Sequence, residues 1–102
     1  MVFVIASLQL QPGTRAGFLS EFARVVPLVR AEDGCLLYVP TLDAAGVLAS
    51  QSPADENHVT VVEQWATVSA LTAHDAAAHM QVFRTRVAGM VVQRSIRVLA
   101  PA

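Results

Sequence analysis

His58-Val59-Thr60-Val61-Val62-Glu63-Gln64-Trp65 is a run of residues with the composition of a β-strand. It is rich in β-branched and aromatic side chains, and successive side chains of a strand point to opposite faces of the sheet. One face carries Val59, Val61, Glu63 and Trp65, and the other carries His58, Thr60, Val62 and Gln64. The segment therefore predicts a strand with one face suited to burial.

Glu63 lies on that face, next to the only tryptophan of the chain. A carboxylate that is buried and unpaired costs several kcal/mol, so we expect it to have a cationic partner. The candidates lie further along the chain: Arg84, Arg86, Arg94 and Arg97. On this interpretation Trp65 anchors the core and Glu63 sits in an ion pair.

Three other segments read as strands, namely Val2–Leu10, Cys35–Leu42 and Val91–Leu99. Apolar residues at helical spacing follow Thr14 and continue to Gly34, which suits a left-handed turn. Thr67 is placed to cap a short helical stretch, and a second helix is expected over 76–89. The order β-α-β-β-α-β predicts a ferredoxin-like α+β fold, in which a four-stranded antiparallel sheet carries its helices on one face. The length of 102 residues fits a single domain over 1–102.

The composition predicts more apolar surface than one small domain can bury. Hydrophobic residues make up 54% of the chain and charged residues 15%, and the mean hydropathy is +0.48. Soluble domains average about 45–50% apolar and about 25% charged residues. Because helices cover only one face of the sheet, we expect a second copy to cover the other and form a homodimer.

Several functional classes are disfavoured by the same numbers. A net charge of −1 without a basic run argues against nucleic-acid binding. The apolar runs are much shorter than the roughly 20 residues of a membrane span, and the single Cys35 suits a reducing cytoplasm. His74 and His79 are separated by about 140° on a continuous helix, so they are not expected to converge on one metal ion. We therefore expect neither a metal nor another cofactor.

The whole chain resembles the antibiotic biosynthesis monooxygenase family, including its quinol monooxygenases. The resemblance is carried by Pro12-Gly13, by 31–38 (AEDGCLLY), by Glu63-Gln64-Trp65, by 71–74 (LTAH) with 79–83 (HMQVF), and by Val98-Leu99. It spans residues 2–99 and implies a dimeric α+β barrel with a pocket between sheet and helices. Members with known activity oxidise electron-rich phenols, anthrones or quinols with O₂ and without metal or flavin.

The resemblance also implies roles for particular residues. Trp65 matches the family's pocket tryptophan, and His74 and His79 match positions that are commonly histidine in the quinol-oxidising branch. Arg84 matches an arginine of some anthrone-oxidising members and stands where haem-degrading members place their axial histidine. Val61 and Leu71 replace an asparagine and a tyrosine of the anthrone-oxidising members, and the 43–57 loop is longer than usual. Haem degradation is therefore not expected, and the substrate stays open.

The resulting hypothesis is a cofactor-independent monooxygenase that deprotonates a small aromatic substrate and oxidises it with O₂. His74 or His79 is the expected base, and Arg84 stabilises the anion. The expected substrate pocket consists of Trp65, Glu63, Val61, Tyr38, Leu71 and Phe83. Two alternatives are a non-catalytic dimer that binds small ligands and an isomerase acting on a small lactone or phosphorylated sugar.

Overall fold

Four segments of apolar or alternating side chains form one antiparallel sheet. The computed structural model describes residues 1–102, and its strands are β1 (Val2–Leu10), β2 (Cys35–Thr41), β3 (His58–Trp65) and β4 (Val91–Leu99). The order across the sheet is β2-β3-β1-β4. The central pair β1 and β3 aligns Val4 with Glu63 and Ala6 with Val61, so these side chains share a face.

Three helices pack on that face: α1 (Arg15–Arg30), α2 (Val68–Ala76) and α3 (Ala78–Val87). The predicted ferredoxin-like fold is confirmed, and the element order is β-α-β-β-α-α-β because the short stretch after Thr67 is a separate helix. The Thr67 hydroxyl accepts a hydrogen bond from the Ala70 amide at 3.0 Å, which confirms this cap. Thr14 instead donates its hydroxyl hydrogen to the Gln11 carbonyl and makes no cap bond.

The core lies between the helices and the inner face of the sheet. Strand β3 alternates between half-buried and buried residues, as its period of two predicts. The core side chains of the helices come mainly from α1 and α3: Phe18, Phe22, Val25, Val29, Met80, Phe83 and Val87. None of the helices has the length and apolar character that crossing a membrane requires.

Strand β4 lies at the edge of the sheet and is much less covered than β1 or β3. It pairs with β1 alone, and Val92, Ile96 and Val98 are 57%, 55% and 56% exposed. Apolar side chains are usually buried to reduce their contact with water. This strand therefore presents part of the apolar surface that the composition indicates.

Candidate active site

The predicted face of β3 brings Glu63 and Trp65 into the interior. Trp65 is fully buried, and its indole N–H donates a hydrogen bond to Glu63 Oε1 at 2.9 Å. The same oxygen lies 3.9 Å from His74 Nε2. The prediction that an arginine pairs with Glu63 is therefore wrong, because the indole of Trp65 and the imidazole of His74 flank its carboxyl group instead. Burial is the main cause that raises the pKa of Glu63, against smaller lowering effects of Trp65 and His74.

His74 and His79 converge, which contradicts the expectation from a continuous helix. Ala77 separates α2 from α3 with φ −62° and ψ 140°, an extended conformation that changes the direction of the chain. His74 Nδ1 and His79 Nε2 then both lie 2.9 Å from Glu32 Oε2. The two histidines belong to different helices, so their separation of about 140° on a single continuous helix does not apply.

Glu32 is a site residue that the sequence analysis did not select. It follows α1, and its carbonyl accepts a hydrogen bond from the Cys35 amide. Gly34, with φ +80°, then directs the chain into β2. Glu32 is 42 residues from His74 along the chain, so spacing alone does not connect them. The available signal was an acidic side chain in a tight turn between α1 and β2.

A cavity of about 300 Å³ lies between the helices and the sheet, and His74 forms part of its wall. Its lining includes five of the six expected pocket residues: Tyr38, Val61, Glu63, Leu71 and Phe83. Trp65 is not part of the lining, so its expected position as a pocket wall is corrected. Its ring instead packs on the ring of His74, with centroids 4.6 Å apart.

Two arginines extend to the same cavity. Arg84, for which the sequence predicts an anion-stabilising role, lines the cavity, and Arg94 from β4 is a second cation there. The Arg84 guanidinium donates hydrogen bonds to the Asp75 carbonyl oxygen at 2.9 Å and to its carboxylate at 2.8 Å. Asp75 therefore fixes the orientation of Arg84 at the rim.

His79 lies outside this cavity and lines a second cleft of about 340 Å³ between α1 and α3. Arg86 also lies there and is paired with Glu21 at 2.6 Å. Phe83 separates the two spaces and contributes to both linings. Of the three expected catalytic residues, His74 and Arg84 thus line the cavity between the helices and the sheet. His79 does not line it and is connected to His74 only through the carboxylate of Glu32.

The Glu32–His74 contact determines which ring nitrogen is available for chemistry. An ionised carboxylate only accepts hydrogen bonds, so a neutral His74 that faces it donates from Nδ1. The lone pair is then on Nε2, on the side of the ring that faces Glu63. A carboxylate that holds a histidine in this way orients it as a general base.

Tyr38 places a phenol in the same wall. Its side chain is buried, and its ring lies edge-on to His74 with centroids 5.5 Å apart. Burial, with smaller contributions from Glu63 and Glu32, raises the pKa of this phenol. Tyr38 therefore keeps its proton at neutral pH and can act as a hydrogen-bond donor.

Comparison with known proteins identifies relatives of the whole chain. Residues 1–86 match the family model described as antibiotic biosynthesis monooxygenase. The chain is 37% identical to the probable quinol monooxygenase YgiN of Escherichia coli strain K12, over 99% of this chain and 98% of that protein.

Two solved structures have the same fold over nearly the whole chain. PA3566 from Pseudomonas aeruginosa aligns with a TM-score of 0.82 and 25% identity, over 99% of this chain and 93% of its own. Rv0793 from Mycobacterium tuberculosis gives the same score and identity, over 99% and 94%. The expected oxidoreductase class is confirmed in its general form, a monooxygenase. The chain belongs to the antibiotic biosynthesis monooxygenase family.

Proposed function

We propose that this monooxygenase acts without a cofactor on a small electron-rich aromatic substrate, a quinol or an anthrone. In the proposed reaction His74 removes a proton from the substrate, and the resulting anion reduces O₂. The observation that carries the proposal is a buried histidine, held by Glu32, in the wall of a mostly apolar cavity. Pockets of this kind are suited to flat aromatic ligands.

Deprotonation is the step for which such an enzyme needs a base. Ground-state O₂ reacts slowly with closed-shell organic molecules, and an anion transfers an electron to it more readily. A phenol with a pKa near 10 is about three units from ionising at neutral pH, which corresponds to roughly 4 kcal/mol. A histidine accepts a proton in this pH range. Nε2 of His74 is the atom that we assign to this role.

The substrate anion then needs positive charge close to its oxygen. Arg84 and Arg94 both line the cavity, and groups that are already oriented toward developing charge stabilise it without further reorganisation. Arg84 is held in place by Asp75. The Tyr38 phenol provides a neutral hydrogen-bond donor in the same wall.

The overall reaction balances with O₂ as the only oxidant. One oxygen atom bonds to a substrate carbon and the other leaves as water, with all four electrons coming from the substrate. An anthrone methylene becomes a carbonyl, and a quinol becomes a hydroxyquinone. The proton that His74 takes returns to the departing oxygen.

His79 and Glu32 act through His74 in this proposal, as positioning residues. Glu32 stabilises the charged imidazole that forms when His74 takes a proton, and His79 holds the other side of the Glu32 carboxylate. We also propose that two copies associate through the exposed apolar side chains of β4, which lie on the same face of the sheet as the helices, and through the helix-free face of the sheet. The half-buried Phe3, Ile5 and Val62 lie on that face.

The test of this function is O₂ uptake by the purified protein in chelator-treated buffer, with naphthoquinols and anthrones as substrates. His74→Ala is expected to lower kcat by at least about tenfold, as the loss of a general base does. His58→Ala is the matched control, because His58 lies on the opposite face of β3 and contacts Gln9. Uptake no faster than autoxidation, or equal rates for the two variants, would contradict the proposal. Ligand binding without uptake would favour a binding protein.

A further inference from the structure

Glu32, His74 and His79 present three ligand atoms to one point, as a metal site does. One carboxylate oxygen and two imidazole nitrogens all lie within 4.8 Å of one another. They come from three separate parts of the chain, the turn after α1 and the two helices α2 and α3. No other group of at least three histidine, cysteine, aspartate or glutamate side chains meets in this way.

Two of the three separations between the ligand atoms fit adjacent ligands of one ion. Ligands at 90° around an ion with bonds of about 2.1 Å are about 3.0 Å apart. Glu32 Oε2 lies 2.9 Å from His74 Nδ1 and 2.9 Å from His79 Nε2. The same separations are hydrogen-bond distances, so an ion that binds here takes the place of the two protons.

The surroundings supply what such a site requires beyond its ligands. A histidine bound to a metal through one ring nitrogen usually directs its other N–H toward a carboxylate. Glu63 Oε1 lies 3.9 Å from Nε2 of His74, on the far side of the ring. The His79 side chain is 27% exposed, which gives an ion a route from solvent.

We propose that Glu32, His74 and His79 bind one divalent transition-metal ion, such as Zn²⁺ or Co²⁺. Two imidazoles and one carboxylate suit these ions, whereas Mg²⁺ and Ca²⁺ prefer sites made of oxygen atoms. On binding, the proton of His74 moves from Nδ1 to Nε2 and that of His79 moves from Nε2 to Nδ1. Three protein ligands leave further coordination positions for water.

The site goes beyond the proposed function, which uses His74 in its metal-free form. An ion on Nδ1 places the ring proton on Nε2, so the metal and the proposed base role exclude each other. The test below measures binding and not turnover. If the protein does not oxidise the proposed substrates, the metal site is unaffected. If the protein binds no metal ion, the proposed oxidation is unaffected.

The test is equilibrium dialysis of the untagged protein against Zn²⁺, followed by metal analysis, with Co²⁺ absorption in the visible region as a second readout. The wild type is expected to bind one ion per chain. Glu32→Gln and His79→Gln are each expected to weaken binding by at least about 100-fold, because loss of an outer-shell partner alone costs 10- to 100-fold. His79 is partly exposed, so its variant is expected to fold, as circular dichroism can verify.

His58→Gln is the matched control, since it removes a histidine that lies outside the cluster. Retained binding in this variant, together with loss in the other two, supports the site. The proposal is overturned if the wild type binds no ion at micromolar Zn²⁺. It is also overturned if binding is lost in His58→Gln or kept in both Glu32→Gln and His79→Gln.

Discussion

Glu63 is a carboxylic acid placed on the inner face of a central strand, with 6% of its surface exposed. Its hydrogen bond from Trp65 and its distance to His74 make it the link between the tryptophan and the proposed base. Burial raises its pKa above the usual 4.5. Folding therefore favours the protonated form of this carboxyl group.

Glu63→Gln is expected to change how stability depends on pH. A carboxyl whose pKa is raised by folding favours the folded state at low pH, and this contribution is lost as pH rises from its unfolded value through its folded value. Glutamine has no such transition. The Tm of Glu63→Gln minus that of the wild type is therefore expected to increase as the pH rises above about 4.5, the usual pKa of this carboxyl group.

Thermal unfolding followed by circular dichroism at several pH values measures this difference. Other carboxyl groups have a lowered pKa, such as Glu21 beside Arg86 and Asp55 beside Asn57. They change the Tm of the wild type and of the variant equally, so their effect cancels in the difference. A difference in Tm that stays constant with pH would show that Glu63 does not titrate as its burial predicts.

Arg84→Ala is expected to lower turnover by at least about tenfold, because it removes a cation from the cavity wall. Arg86→Ala is the matched control, since Arg86 lies two residues further along α3 and pairs with Glu21 in the outer cleft. Steady-state O₂ uptake with one substrate gives kcat and KM for each variant. Similar losses in the two variants would indicate a general effect on α3 rather than a role at the anion.

At the scale of the elements, the turn between α1 and β2 determines where Glu32 lies. Gly34 has φ +80°, and a Cβ added there would lie 2.6 Å from the Cβ of Ala70 in α2. The turn and α2 are thus in close contact. This contact holds the carboxylate of Glu32 against the helix that carries His74.

Gly34→Ala is expected to destabilise the fold by about 2–5 kcal/mol. About 1–2 kcal/mol comes from a left-handed conformation for alanine, and about 1–3 kcal/mol from overpacking against α2. Gly13→Ala is the matched control, because φ is +82° there and the added Cβ meets nothing within 4 Å. Gly13→Ala is expected to lower the free energy of unfolding only by the cost of the left-handed conformation, about 1–2 kcal/mol.

Unfolding in urea measures the free energy of unfolding of Gly34→Ala and of Gly13→Ala. The double variant Gly34→Ala with Ala70→Gly is expected to recover part of the overpacking cost, although glycine in a helix itself costs about 1 kcal/mol. Equal losses for Gly13→Ala and Gly34→Ala would mean that the turn and α2 are not tightly packed.

The elements were predictable where a local pattern defines them. The alternation of β3 fixed which side chains are buried, and so it placed Val61 and Glu63 correctly. The placement of His74 and His79 on separate helices follows from the predicted short helix after Thr67 and the helix over 76–89. Their convergence on Glu32 was not predictable, because it also depends on the direction of the chain at Ala77 and on the position of the turn after α1. Trp65 was assigned to the correct face, but only the packing of α2 decides that His74, and not substrate, covers its ring.

At the scale of the whole molecule, part of the remaining apolar surface lies on strand β4. Val92, Ile96 and Val98 of β4 are each more than half exposed. Fully burying a side chain of this size is worth about 1.5–3 kcal/mol. Association of two copies through this surface is the simplest way to gain that free energy.

Val98→Asp is expected to convert a dimer into a monomer, because it places a charge in an apolar interface. Light scattering after size exclusion is expected to give about twice the chain mass of 10.9 kDa for the wild type and the single mass for the variant. Val47→Asp is the matched control, since Val47 is 69% exposed in the loop before β3. A wild-type mass near that of one chain at micromolar concentration would contradict the proposed dimer.

Strand β4 contributes Arg94 and Ile96 to the cavity, and its apolar residues, Ile96 among them, remain largely open to solvent. If a second copy covers them, one strand serves both as wall of the active site and as subunit contact. The law of mass action then applies to the enzyme itself. Dilution would lower the activity per chain, and progress curves started from a concentrated stock would slow as the subunits separate. The rate per chain would depend on the protein concentration as well as on the substrate.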